Sequence, residues 1–425
     1  MREMKDSGVE WIGEIPKNWD IIKGKYVLKY LQKPIRDDDG VITCFRDGEV
    51  TLRANRREDG FTLSDKEIGY QGIDVGDLVV HGMDGFAGAI GISDSRGKAS
   101  PVLNVLDSES NKRYLMYYLR SMAFNNIFVA LASGIRVRSC DLRWNKLAEL
   151  PFLTTNLNEQ QHIADYLDTQ CSKIDATTED IKKEISLLED YKKSVITEAV
   201  RKGLNPDAEM KDSGIEWIGE IPKGWKIIRL KYITNSIGDG LHGTPNYDDL
   251  GTIFFINGNN LGNRKISITE KTNRLTEKEY KKYGVLKLDK RTLLMSLNGT
   301  YGTLSMYDNE PIMLSKSVGY INVCNKETKE YLYYFLQSSL AQNQMTISLA
   351  GTTIANLSLA TVRNLRICLP SICEQQQITD FLDAKCSEID ALIANKKRQW
   401  GILAEYKKSL IYEYVTGKKE VPINE

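Results

Sequence analysis

The sequence predicts an α+β fold. Two globular α/β bodies are separated by two long antiparallel helices, coiled-coil-like, in a pseudo-two-fold circular arrangement. Three observations lead there. A sixteen-residue opening segment occurs twice almost unchanged, a helical seam of apolar residues spaced by seven occurs twice, and the stretches between them share little identity. An internal repeat settles architecture before any local feature does, because a unit duplicated within one chain folds twice.

The opening segment, Met4-Lys5-Asp6-Ser7-Gly8-Val9-Glu10-Trp11-Ile12-Gly13-Glu14-Ile15-Pro16-Lys17-Asn18-Trp19, returns at Met210–Trp225 with only Val9/Ile215 and Asn18/Gly224 differing. Its tryptophans, Trp11, Trp19, Trp217 and Trp225, recur with the frame and so read as core or partner docking. Residues 27–150 and 233–369 then diverge. One echo survives: Leu78-Val79-Val80 followed by Gly85-x-x-Gly88, and Leu293-Leu294-Met295 followed by Gly299-x-x-Gly302. Both read as a strand running into a glycine turn. Helices are expected at Lys112–Leu119 and Lys329–Leu336.

The second repeated element is the helix. Pro151 and Pro370 precede capping patterns, Asn156-x-x-Glu159 and Ser371-x-x-Glu374, in which a side-chain oxygen satisfies an orphan N–H of the first turn. Leu167, Ile174, Ile181, Leu188 and Val195 follow at intervals of seven, with Cys171, Thr178, Ile185 and Lys192 as a partly apolar second row. The second copy keeps Leu382, Ile389, Leu403 and Leu410 but places Lys396 in the series, flanked by Ile393 and Trp400. These residues form the expected helix-pair interface; the alternative is a helix packed only on its own domain. Gly203 with Pro206, and Gly417 with Pro422, stop the helices. About 45 residues give a rod of roughly 65 Å. The expected division is 1–155, 156–205, 206–370 and 371–425, with the tail near the opening segment.

Bulk properties narrow the function. A chain of 425 residues exceeds one compact core. Fifty-seven basic and fifty-seven acidic side chains balance, which argues against a non-specific coat on nucleic acid but leaves local fields open. No apolar run reaches the ~20 residues of a membrane helix, and the charged start lacks a secretory pattern. Seven cysteines without a Cys-x-x-Cys pair fit a reduced, cytoplasmic setting. His81, His162 and His242 are scattered, giving no metal-ligand spacing. The stretch Gly91–Ala99 is not a phosphate loop: its spacing is wrong, and Ala99 stands where a magnesium-binding hydroxyl is needed. No adenine-methyltransferase motif is present.

The order Leu150-Pro151, Glu159-Gln160-Gln161-x-Ile163, Leu167-Asp168, Ile174-Asp175, repeated as Leu369-Pro370, Glu374-Gln375-Gln376-x-Ile378, Leu382-Asp383, Ile389-Asp390, resembles the specificity subunits of type I restriction-modification systems. So does Gly8-x-Glu10-Trp11-Ile12-Gly13-x-Ile15-Pro16-x-x-Trp19. The resemblance covers the whole chain. It implies that each body is a target-recognition domain reading one half of a bipartite, asymmetric site in double-stranded DNA, and that the helices set the gap. It implies two methyltransferase (modification) subunits carrying S-adenosylmethionine, and two motor-endonuclease (restriction) subunits using ATP and Mg. This chain itself would be non-catalytic and hold no cofactor. The alternatives are a self-contained methyltransferase or nuclease, and a coiled-coil scaffold that never touches DNA.

Candidate DNA contacts lie in the divergent bodies. Arg53, Arg56 and Arg57 sit in a polar stretch and suit guanine edges or phosphates; a solvated loop is the alternative. Arg136 and Arg138 alternate, so both share one strand face. His242 and Thr244 belong to a glycine-rich loop. Asn259 and Asn260 follow the strand-like Ile253–Ile256 and suit adenine, although Asn-Gly is also turn chemistry. Lys316 suits a phosphate or is a plain surface lysine.

Overall fold

The computed structural model describes residues 2–56, 68–130, 142–262, 264–284, 286–349 and 356–422. It divides into two compact units, Met1–Ile181 with Arg398–Glu425, and Lys182–Lys397. The long helices span Leu157–Lys202 and Ile372–Val415. Each unit therefore takes half of each helix together with one body.

In the first unit the opening segment forms a hairpin, Met4–Asp6 against Glu14–Pro16, whose tight ends use Gly8 and Gly13 at φ of +71° and +69°. Asp20–Lys23 pairs antiparallel with Pro151–Thr154, closing the body at its base. The body's main sheet is antiparallel, in the order Lys29–Leu31, Leu103–Asp107, Leu78–His81, Ile90–Ile92. The helix Lys112–Phe124 covers it, capped by Asn111.

The second unit repeats this plan on a different sequence. Met210–Asp212 pairs with Glu220–Pro222, and Lys226–Arg229 with Arg366–Leu369. The sheet order is Thr234–Asp239, Val318–Val323, Thr292–Ser296, Leu304–Met306, and the covering helix is Lys326–Gln337, capped by Asn325. The shared strand and glycine turn are real: Gly88, Gly299 and Gly302 all have positive φ. This unit adds Ile253–Ile256, lying between Arg274–Leu275 (antiparallel) and Ile312–Leu314 (parallel).

The frame holds the helix starts by the same tryptophan–glutamate bond in both units. Trp19 Nε1 donates to Glu159 at 3.0 Å, and Trp225 Nε1 to Glu374 at 3.2 Å. Both indoles are buried at the first turn of a long helix. Tyr114 OH bonds Leu153 O and Val415 O; Tyr331 OH bonds Cys368 O and Val200 O. Each buried phenol thus satisfies a carbonyl that the end of a helix leaves unpaired. Gly203 and Gly417, at φ of +76° and +69°, end the helices in left-handed turns. The last turn of the second long helix and the tail beyond it lie on the opening segment: Tyr412 OH donates to Trp11 O at 3.1 Å, and Lys418 Nζ to Ile12 O at 2.8 Å.

Within each unit the helix segments run antiparallel. In the first, Tyr166 meets Tyr414 and Asp175 pairs with Lys407 at 2.6 Å. In the second, Glu184 pairs with Lys396 at 2.5 Å and Lys192 with Asp390 at 2.6 Å. Asp175 and Asp390 are repeat equivalents, as are Lys192 and Lys407, so one ion pair occurs once in each unit. Such half-exposed pairs contribute about 0–1 kcal/mol; their effect is on register. Lys396, which interrupts the apolar series, is this kind of partner. Leu167, Ile174, Ile181 and Leu410 are buried in the first unit, and Ile185, Leu382, Ile389 and Ile393 in the second. Leu188, Val195 and Leu403 are half-buried. Trp400 departs from the expected seam at 41% exposed. Ile393, one heptad earlier, is buried; helical drift turns the two apart by only about 20°, so the difference lies in what packs over each position.

A polar cluster in the first unit gives a pH prediction. Arg96 donates to both Asp39 oxygens at 3.0 Å and to Asp74 at 2.5 Å, while Lys33 reaches Asp74 and Asp77. The Arg96 guanidinium holds the Asp39 carboxyl below the usual carboxylate range. A depressed carboxylate stabilises the fold at neutral pH, and that contribution fades as pH falls through its folded pKa. Arg96→Met should lower the urea midpoint at pH 7, with the difference from wild type shrinking towards pH 3. A difference independent of pH would count against this role.

Candidate nucleic-acid interface

In the first unit Val50–Leu52 ends in a short 3-10 turn, Arg53–Asn55. It brings Arg53 and Arg56 to a groove of about 590 Å³ shared with Thr43, Phe45, Arg46 and His81. Arg53 Nε donates to Thr43 Oγ1 at 3.0 Å. Arg56 lies over the Phe45 ring at 4.2 Å and pairs with Asp47 at 2.5 Å and Glu49 at 2.9 Å. Its guanidinium is therefore oriented but already partnered, and engaging a base or phosphate requires exchanging those carboxylates. Arg46, paired with Asp84 at 2.9 Å, lines the same groove; it was absent from the sequence-derived set, although Arg46-Asp47-Gly48 carries a turn signal. Arg57, Arg136 and Arg138 lie outside the described residues.

His81 accepts backbone N–H bonds at Nδ1 from Met83 (3.2 Å) and Asp84 (2.9 Å). That pattern assigns the proton to Nε2. Burial lowers the imidazole pKa, keeping it neutral at pH 7. Burial also pushes the nearby Cys44 thiol up to about 12, so the groove offers no thiolate nucleophile there.

In the second unit three loops converge through hydrogen bonds from backbone N–H groups. Lys316 N donates to Leu241 O at 2.9 Å, Ser315 N to Ile256 O at 2.9 Å, and Gly258 N to Ser317 Oγ at 3.1 Å. The structure thereby gathers loops 239–245, 257–260 and 315–317, and with them His242, Thr244, Asn259 and Lys316, all exposed. His242 Nε2 is 2.7 Å from Asp239 Oδ2. Asn260 is committed elsewhere: its Oδ1 accepts from Asn257 N at 3.0 Å and its Nδ2 donates to Ser267 O at 2.9 Å. These bonds close a capped turn, so its amide is not free to read a base and Asn259 is the candidate of the pair. A fourth loop joins through Leu297 N to Ser317 O at 2.8 Å. It carries Asn298, whose buried Oδ1 has no hydrogen-bond partner among the described residues. Neither Asn298 nor Ser317 was legible beforehand; the Asn298-Gly299 turn was the only signal.

Among the described residues no group of three or more His, Cys, Asp or Glu is placed to hold a metal ion, and no helix is long and apolar enough to cross a membrane. The cysteines described, Cys44, Cys171, Cys324, Cys368, Cys373 and Cys386, are free thiols.

Residues 222–399 match the family described as the type I restriction modification DNA specificity domain. The chain is 24% identical over 420 residues to the type I restriction enzyme MjaVIII specificity subunit of Methanocaldococcus jannaschii, spanning 96% of this chain and 94% of that one. It is 30% identical over 190 residues to the MjaIX specificity subunit of the same organism, covering 44% and 42% of the two chains. A solved chain from work on complex assembly and conformational transition of the type I R-M system superposes with a TM-score of 0.67 at 14% identity, over 95% of this chain and 99% of that one. This last likeness is one of fold.

Proposed function

The chain belongs to the type I restriction-modification DNA specificity family, and on that premise we propose that each unit reads one half of a bipartite site in double-stranded DNA. The observation that carries this is the pair of bodies with one sheet order and different loop faces. A common scaffold with unlike polar rims suits two readers of unlike half-sites. In the first, Arg53, Arg56 and Arg46 present guanidinium forks that match guanine edges or phosphates. In the second, Asn259 suits adenine, and His242, Thr244 and Lys316 suit base edges and the backbone.

The chain acts without chemistry of its own. Two methyltransferase subunits bring S-adenosylmethionine, and two motor-endonuclease subunits bring ATP and Mg; the helices set the gap and dock the methyltransferase subunits. The complex works in the cytoplasm, on DNA. Target adenines leave the stack to be methylated, so the reader holds the duplex beside the enzyme rather than enclosing it.

The test is methylation by the assembled chain and its methyltransferase subunits on a duplex library, against the chain alone with S-adenosylmethionine. Methyl transfer should need the assembly and fall on one split sequence. Transfer by the chain alone would overturn the assignment. Asn259→Ala and Arg56→Ala should each cost about 1–3 kcal/mol and relax specificity in different halves. Lys316→Ala should weaken binding across all sequences and reduce the salt slope by about 1; a sequence-dependent loss would contradict its phosphate role.

A further inference from the structure

We propose that Arg264 is a positioning residue for DNA discrimination by the second unit: it clamps the hairpin behind the Asn257–Asn260 loop to the second long helix. The inference rests on the reading of that loop as part of the DNA face. Arg264 sits at the tip between Leu261–Gly262 and Lys265–Ile266, with φ of +67°, a left-handed conformation unusual for a side chain of this size. One arm of its guanidinium pairs with Asp383 on the long helix, the other with Glu330 on Lys326–Gln337. Its Cζ lies over the Tyr333 ring, 5.2 Å from the centroid, and Tyr334 OH donates to the same Asp383 oxygen at 2.5 Å. A planar fork held at both arms and by a ring fixes rotation as well as distance.

The other end of the hairpin is the recognition loop. Ser267 N donates to Asn260 O at 2.7 Å and Asn260 Nδ2 to Ser267 O at 2.9 Å, so the clamped tip and the loop bearing Asn259 are one continuous piece. The first unit holds its aspartate differently. Tyr117 OH donates to Asp168 at 2.7 Å, as Tyr334 does to Asp383, but the arginine is Arg113, on the covering helix itself. With Tyr114 matched to Tyr331, Arg113 stands where Glu330 stands. The aspartate and tyrosine are common to both units; only the second delivers its arginine from the hairpin behind a recognition loop, the first from its covering helix.

That difference supplies the test. In the full chain assembled with its methyltransferase subunits, Arg264→Lys keeps the charge and loses the fork. It should lower base discrimination by about tenfold in one half-site and leave the other unchanged. The double variant Arg264→Ala with Glu330→Arg rebuilds the first unit's arrangement. It should recover the melting temperature lost in Arg264→Ala while discrimination stays relaxed. Discrimination restored together with stability, retained in Arg264→Lys, or lost equally in both halves would overturn the clamp. A wild-type assembly with no sequence preference would instead overturn the functional reading.

Discussion

Seven residues inserted after Ile181 and seven after Lys396 should move the methylated half-sites about three base pairs apart and reduce methylation of the original site to background. Both insertions fall between the paired positions Asp175–Lys407 and Lys192–Asp390, so each unit keeps its own ion pair and helix ends. Seven residues add about 10.5 Å at 1.5 Å each, against 3.4 Å per base pair. Because seven residues are nearly two turns, the apolar face drifts by only ~20°. A four-residue insertion is the sharper control: it adds about 6 Å and turns the face by about 40°, costing more stability for less length. Sequencing of methylated adenines in cells carrying the variant reads the result. An unchanged gap would exclude the helices as the spacer.

The second large effect is on stability. Trp225→Ala should destabilise Lys182–Lys397 by about 3–5 kcal/mol, a substantial share of the ~5–15 kcal/mol that holds a domain together. The indole is buried with Ile218, Ile221, Ile196 and Val200, and its N–H is bonded to Glu374 at the start of the long helix. Removal opens a cavity and leaves the first helical turn without that donor. Hydrogen exchange should show protection lost across 182–397 before it changes in 1–181. Trp217, eight residues earlier in the same repeated segment, is exposed; its alanine variant should stay within about 0.5 kcal/mol of wild type. Equal effects of the two substitutions would contradict the anchoring role.

The contrast between these tryptophans marks how far the sequence could be read. Repetition and the spacing of Leu167, Ile174, Leu382 and Ile389 made the frame and helices legible, because periodic burial is a local pattern. Which of four repeated tryptophans is enclosed depends on what packs over the hairpin, and spacing carries none of that. The same limit separates Ile393 from Trp400, and Lys396 becomes intelligible only once Glu184 is seen opposite it. The bodies left a glycine-turn echo but not their common sheet order, since a sheet accepts many apolar sets. Asn259 and Asn260 are neighbours of one type, yet a cap consumes one amide and leaves the other exposed. Arg264 and Glu330 show the most: a pair spanning sixty-odd positions replaces a single helix residue of the other unit, and nothing local announces it.

The most direct measurement is an exchange of bodies. Residues 27–150 are replaced by the corresponding stretch of another family member, and methylated adenines are mapped across a genome in cells that also supply the methyltransferase subunits. One half of the recognised sequence should change, with the other half and the gap retained. A map in which both halves change, or neither does, would contradict a chain that carries two separate readers.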